Sequence, residues 1–244
     1  MSIKDILVHV DMSGACDVRL RLTAYVARWF DARVAGAGVP EAEEKFTKLL
    51  RLEEVQGEWH TAARGSVASY ARAADLVILG QRDADEPTAM DTPEDVILAC
   101  GRPVLVVPHA WRGDRVGEHV LIAWNGSREA ARAVYDGLPF MTMASSVTVL
   151  SVNLGLDHLD GEEGRRLRDD LVRHLERHGI NARAELTEPV GVSVSDTVLS
   201  RAADVGADLI VMGAYGHSRL RELILGGTTH DMLNRAILPV LMAH

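Results

Sequence analysis

Short apolar runs recur along the chain, each passing through a polar turn into a stretch of helical periodicity. Ile6-Leu7-Val8-His9-Val10 leads through Asp11-Met12-Ser13 into Asp17–Phe30, and Val120-Leu121-Ile122-Ala123-Trp124 leads through Asn125-Gly126-Ser127 into Arg128–Leu138. A buried strand ending in a turn that can cap the next helix accounts for both. Two further pairs follow: Ala74–Gly80 matches Ala207–Gly213, and Arg102–Val107 matches Leu238–Ala243. The separation between partners grows along the chain, so the pattern predicts one duplicated unit with longer insertions in its second copy, not a short solenoid repeat.

In the second copy the periodicity predicts strands at 119–124, 146–152, 181–187, 208–212 and 239–243, with helices at 127–139, 162–178, 192–205 and 228–236. The first copy predicts strands near 5–10, 33–39, 56–60, 75–79 and 103–107. Near-continuous apolar strands alternating with helices indicate an α/β fold, a mostly parallel, doubly wound sheet of five strands in each copy with helices on both faces. The expected domains are 1–110 and 115–244, joined through the aperiodic segment Pro108–Asp114. In such sheets ligands bind beyond the carboxyl ends of the strands, where strand order reverses. The turns after the first and fourth strands of each copy are therefore where chemistry is expected.

Composition narrows the partners. The chain has 244 residues, 47% hydrophobic and 25% charged, which is ordinary for a globular protein of one large or two small domains. With 35 acidic residues against 26 basic ones, its net charge of −9 opposes nucleic-acid binding. No apolar run approaches the roughly 18 residues of a membrane span, and none near the start resembles a signal-peptide core. Two cysteines, Cys16 and Cys100, suit a cytoplasmic protein and give no multi-cysteine metal site. Lysine occurs only at positions 4, 45 and 48, so a phosphate site in the second copy must use backbone N–H groups, helix dipoles or arginine.

The loop after the fourth strand of the second copy offers the first two of these. It runs from Gly213 to Thr229 with glycines at 213, 216, 226 and 227, a G-x2-G-x9-G spacing followed by Gly-Thr-Thr. Gly213 and Gly216 are expected to turn with positive φ and approach a ligand closely, and Gly226 and Gly227 to do the same before a helix whose free N–H groups favour an anion. Thr228 and Thr229 can add hydroxyl donors or cap that helix. In the first copy, Gly80 is followed by Gln81-Arg82-Asp83-Ala84-Asp85-Glu86-Pro87, whose carboxylates repel phosphate, and Gly101 reads as a helix C-cap.

The spacing, the order of elements and the Pro-Val-Leu final strand resemble the universal stress protein family, over nearly the whole chain, as two tandem copies. The resemblance implies that Gly213, Gly216 and Gly226 are the phosphate-loop glycines of its ATP-binding members. Gly227 stands where those members carry Ser or Thr, which removes a hydroxyl and keeps an N–H, and Thr228 offers a hydroxyl one position later. Asn125 falls on the family's acidic residue near the adenine, Ala123 on the ribose side and Val152 beside the adenine. His217 either contacts phosphate or faces solvent. The implied ligand is ATP or AMP, with Mg accompanying ATP, and no catalytic or protein metal-binding residue is assigned beyond slow ATP hydrolysis in some members. The implied partners are the two domains for each other, a second copy of the chain and an unidentified protein.

Two functions stay open at this point. One is a stress-response or signalling protein that binds nucleotide in its second copy; the other is an interaction protein of the same fold that binds none, favoured by Gly227 and Asn125. An adenylating enzyme is disfavoured by the missing lysines. No G-x-S-x-G elbow is present, and His174 and His178 read as a solvated helix face.

Overall fold

The computed structural model describes residues 2–63, 65–82, 91–153, 161–189, 191–216 and 227–244. These form two compact units, the first comprising residues up to Val116 together with Ile237–Pro239, the second Gly117–Ala236 and Val240–His244. In the first, strands β1 (Asp5–Val10), β2 (Arg33–Gly38), β3 (Gly57–Thr61), β4 (Leu76–Gly80) and β5 (Val104–Val107) lie in the order β3-β2-β1-β4-β5. In the second, β6 (His119–Ala123), β7 (Ser146–Val152), β8 (Ala182–Thr187), β9 (Leu209–Gly213) and β10 (Val240–Ala243) lie in the order β10-β9-β6-β7-β8. Neighbouring strands pair in parallel within each unit, with Leu7 opposite Ala35 and Val77, and Leu121 opposite Thr148 and Ile210.

The helices of the first unit are α1 (Ala15–Phe30), α2 (Glu43–Leu52), α3 (Val67–Ala71) and α4 (Pro93–Cys100), with a short 3₁₀ turn at Pro40–Ala42. Those of the second are α5 (Arg128–Met141), α6 (Gly161–Arg177), α7 (Val194–Asp204) and α8 (Thr228–Arg235). Their ends follow local chemistry. Ser127 caps α5 by accepting the Ala130 N–H at 3.1 Å, Ser193 caps α7 through Asp196, and Gly101 ends α4 with φ at 65°. Helix α5 runs to Met141, past its expected end at 139, with Pro139 inside its last turn. The strand centres are closed to water on both faces: Val8, Ile78, Leu105, Leu121, Val149 and Ile210 are all buried. Each such side chain contributes about 1.5–3 kcal/mol by leaving water.

The repeated Ala-Asp-Leu before β4 and β9 has a structural cause. Asp75 accepts the backbone N–H groups of Lys4 and Asp5 at 2.8 and 3.1 Å, at the start of β1. Asp208 accepts those of Gly117, Glu118 and His119 at 3.0, 3.0 and 3.1 Å, at the start of β6. Each aspartate thus satisfies donors that lie before the parallel ladder can pair them.

Candidate functional site

In the second unit β6 continues outward to β7 and β8 on one side, while β9 and β10 lie on the other, so strand order reverses between β6 and β9. Ala123 ends β6, opposite Leu150 and Met212, and Gly213 ends β9. Asn125 is exposed in the turn after β6, and its Oδ1 accepts the Ser127 N–H at 3.1 Å. Val152 ends β7, on the far side of β6, opposite Thr187.

The glycines are required by closeness and not by φ. Neither Gly213 nor Gly216 has positive φ, contrary to the sequence expectation; the left-handed residue between them is Tyr215, at φ 58°. A β-carbon at position 213 would lie 2.4 Å from the Ala130 nitrogen and 2.5 Å from the Glu129 carbonyl carbon, so β9 ends hard against the first turn of α5. A β-carbon at 216 would lie 2.8 Å from Glu129 Oε2 and 3.1 Å from Ser127 Oγ.

The start of α8 faces the same turn. Gly227 is its N-cap with φ −61° and ψ 125°, an extended conformation open to any residue, and provides no side-chain cap. Thr228, half-buried, is the first helical residue. Thr229 does not cap the helix: it is buried, and its Oγ1 accepts the Tyr215 N–H at 3.1 Å. The Ala214 N–H donates to the Ala243 carbonyl at 2.8 Å, which ties the turn to β10. Ala123, Asn125, Gly213, Gly216, Gly227 and Thr228 therefore meet at the carboxyl end of one sheet. His217 and Gly226 lie outside the described residues.

Glu129, absent from the sequence reasoning, is a buried charged group among the described residues of this site. It is the second residue of α5, its side chain is 4% exposed, and its Oε1 accepts from Nε of Arg128, whose own side chain is 87% exposed. Burial works to raise its pKa, but the hydrogen bond and charge of Arg128, its own backbone N–H and Ser127 hold it below the ordinary carboxylate value. A first-turn carboxylate reads in sequence as helix-dipole complementarity. Its one distinguishing signal is its place two residues after the Ser127 cap, at the switch point. Among the described residues no group of three or more His, Cys, Asp or Glu could hold a metal.

The same place in the first unit is filled. Arg19, 2% exposed, donates from Nε to the His9 carbonyl at 2.9 Å and from Nη2 to Asp11 Oδ2 at 2.6 Å. Its Nη1 would be 2.1 Å from a β-carbon at Gly80, the end of β4. Asp11 Oδ1 also accepts the Ser13 N–H and hydroxyl, and Lys45 closes over the turn by donating to the Ser13 carbonyl at 3.0 Å. Burial opposes ionisation of Asp11, but Arg19 and Ser13 bring its pKa down to about 2. Burial first and then Arg19 bring His9 down to about 4, against the smaller pull of Asp11 and Asp91. Cys16, beside them, is fully buried, and burial raises its pKa, as expected for a packing thiol. Residues 83–90, where the sequence placed the carboxylates replacing a phosphate turn, lie outside the described part.

A sequence profile of the universal stress protein family matches residues 118–244, more than half of the chain. The chain belongs to the universal stress protein family. It is 28% identical over 171 residues to the universal stress protein Slr1230 of Synechocystis sp., a match covering 68% of this chain and 57% of that protein. It is also 28% identical over 103 residues to the universal stress protein MJ0577 of Methanocaldococcus jannaschii, covering 38% of this chain and 60% of that one. The chain thus spans somewhat over half the length of these curated relatives. In fold it is similar to the crystal structure of a universal stress protein from Archaeoglobus fulgidus, with a TM-score of 0.78 at 14% identity, covering 99% of this chain and 96% of the other. Among the described residues no helix is long and apolar enough to cross a membrane.

Proposed function

We propose that the second unit binds an adenine nucleotide, ATP or AMP, and that the chain is a cytoplasmic stress-response or signalling protein whose surface changes with occupancy. The observation that carries this reading is the α8 start without a side-chain cap, tied by the Tyr215–Thr229 hydrogen bond to the Gly213–Gly216 turn at the strand switch point. Unpaired helix N–H groups beside a close-approaching backbone form an anion cradle without lysine. Gly216, Gly227 and Thr228 then face phosphate together with His217 and Gly226, while Asn125, Ala123 and Val152 face the nucleoside.

On the same reading the chain is a tandem pair of family domains, 1–110 and 115–244, and the first is a degenerate copy. The buried Arg19, paired with the half-buried Asp11, stands against Gly80 at its switch point, which supports this reading.

Two observations favour the alternative, an interaction protein that binds no nucleotide: Gly213 has a packing reason to be glycine, and Asn125 is committed to its turn. Thermal unfolding with millimolar ATP or AMP separates the two. A ligand-dependent rise in Tm that is absent in Gly216→Val supports nucleotide binding. No rise with either nucleotide supports the interaction protein.

A further inference from the structure

The two units differ in one helix. In each, a helix leads from a serine N-cap, Ser66 or Ser193, toward the aspartate that holds the start of the first strand, but α3 has 5 residues where α7 has 11. The added turns of α7 cover their sheet. Val198 and Ala202 are buried, Arg201 donates from Nε to Glu185 at 2.6 Å, and Thr148 of β7 is 2% exposed. In the first unit the corresponding row is Leu7, Ala35 and Glu58, in register across β1, β2 and β3, and no such turns lie over it. Ala35 is only half-buried, although its counterpart in the second unit is the buried Thr148. The shorter helix leaves a cleft of about 210 Å³ over the strands.

The walls of this cleft differ in chemistry. Ala35, Ala73 and Ala74 supply an apolar floor and side. The rings of His60 and Tyr70, stacked with centroids 4.8 Å apart and planes 11° apart, form a flat wall. Arg33 and Glu58 bring opposite charges from neighbouring strands, and Asp5 adds a carboxylate beside Arg33 in register. Arg33 and Glu58 approach each other only to 3.9 Å, with side chains 63% and 58% exposed. So loose and exposed a pair contributes little to stability and is readily exchanged for the charges of a ligand.

We propose that this cleft binds a free α-amino acid with a compact apolar side chain. The carboxylate of the ligand meets the Arg33 guanidinium, and its ammonium meets Glu58 and Asp5. Its side chain lies over Ala35 against the Tyr70 ring, where the second unit has helix. The volume is below the roughly 300–1,000 Å³ of drug-sized sites, which suits one amino acid and is too small for a nucleotide. Every lining residue is described and belongs to the first unit, so the site stands apart from the nucleotide reading of the second.

Amide NMR titration of the labelled full chain with three probes at fixed pH and ionic strength tests this directly. The probes are L-leucine, isocaproate (leucine without its ammonium) and isoamylamine (leucine without its carboxylate). Leucine is expected to give saturable millimolar shifts at Ala35, Glu58, His60 and Ala73, with each one-charge analogue about tenfold weaker. Arg33→Gln and Glu58→Gln, both at exposed positions, should each weaken leucine about tenfold. Arg33→Gln should leave isoamylamine no weaker, because that probe has no carboxylate for Arg33 to hold. No saturable shift with leucine at tens of millimolar would overturn the proposal. Analogues binding as tightly as leucine would also overturn it, by showing that the paired charges play no part in recognition. The comparison of probes needs no variant, so a substituted protein that fails to fold leaves the test intact.

Discussion

The Glu129 carboxylate lies against the Cα of Gly216, so closely that a β-carbon there would fall 2.8 Å from Oε2. A few residues earlier, the backbone of Gly213 meets the backbone of the same helix turn, with 2.4 Å to the Ala130 nitrogen. The two glycines therefore differ in what would have to yield. Side-chain ends crowd position 216, whereas main-chain atoms of a capped helix crowd position 213. Gly213→Ala should destabilise the protein by about 3 kcal/mol and Gly216→Ala by about 1 kcal/mol. Urea unfolding followed by tryptophan fluorescence measures both; equal costs would mean that α5 can retreat from β9.

In the first unit the Asp11–Arg19 pair makes a different prediction for each partner. Arg19 is almost wholly buried, whereas the Asp11 side chain is 29% exposed and can recover some hydration if left alone. Asp11→Ala leaves a guanidinium buried without its counter-ion and should cost about 4 kcal/mol; Arg19→Leu should cost less, about 2 kcal/mol. Paired denaturation curves decide the order. The reverse order would mean that water reaches Arg19 more easily than its burial implies.

Acid should weaken the same unit from a pH well above the carboxylate range. His9 binds its proton near 4 in the folded protein and at an ordinary 6.5 when unfolded. Between those values the unfolded chain holds more protons, so stability falls as pH falls. From pH 7 to about pH 5 the loss attributable to His9 is about 2 kcal/mol. Asp11, ordinarily at 3.8 and here near 2, adds a further loss only below the lower end of that window, as its carboxylate is protonated. Unfolding free energies of the parent protein and His9→Gln at both pH values should converge toward pH 5. Parallel slopes would remove His9 as the cause.

The two repeated aspartates should not be equivalent. Asp208 accepts three backbone N–H groups and Asp75 accepts two. Asp208→Ala should cost about 3 kcal/mol and Asp75→Ala about 2 kcal/mol, each bond to a charged acceptor contributing on the order of 1 kcal/mol or more. Hydrogen exchange at the amides of Glu118 and His119, compared with those of Lys4 and Asp5, reports each loss in its own unit.

Much of this organisation is written in local pattern. The strands announce themselves as apolar runs, the duplication as matched runs, and the α5 and α7 caps as serine three residues before the N–H they accept. The contacts that set the chemistry are non-local. Arg19 lies inside the expected helix Asp17–Phe30 with nothing local to mark it, and its role shows only where β1 and β4 bring Asp11 and Gly80 to it. Glu129 reads as a solvated first-turn acid until β9 delivers Gly216 against it. The glycine loop shows the same limit from the other side. Its spacing suggested positive φ at 213 and 216, yet Tyr215 adopts that conformation, and the glycines are needed because a helix and a serine stand in the way.

The most direct measurement is an amide NMR titration of the isotopically labelled full chain with AMP. Binding at the second unit predicts saturable shifts at Gly216, Gly227 and Thr228, smaller ones at Ala123 and Asn125, and none at Asp11, Ser13 or Gly80. Saturable shifts centred on Asp11 and Gly80, or no shifts at millimolar AMP, would contradict it.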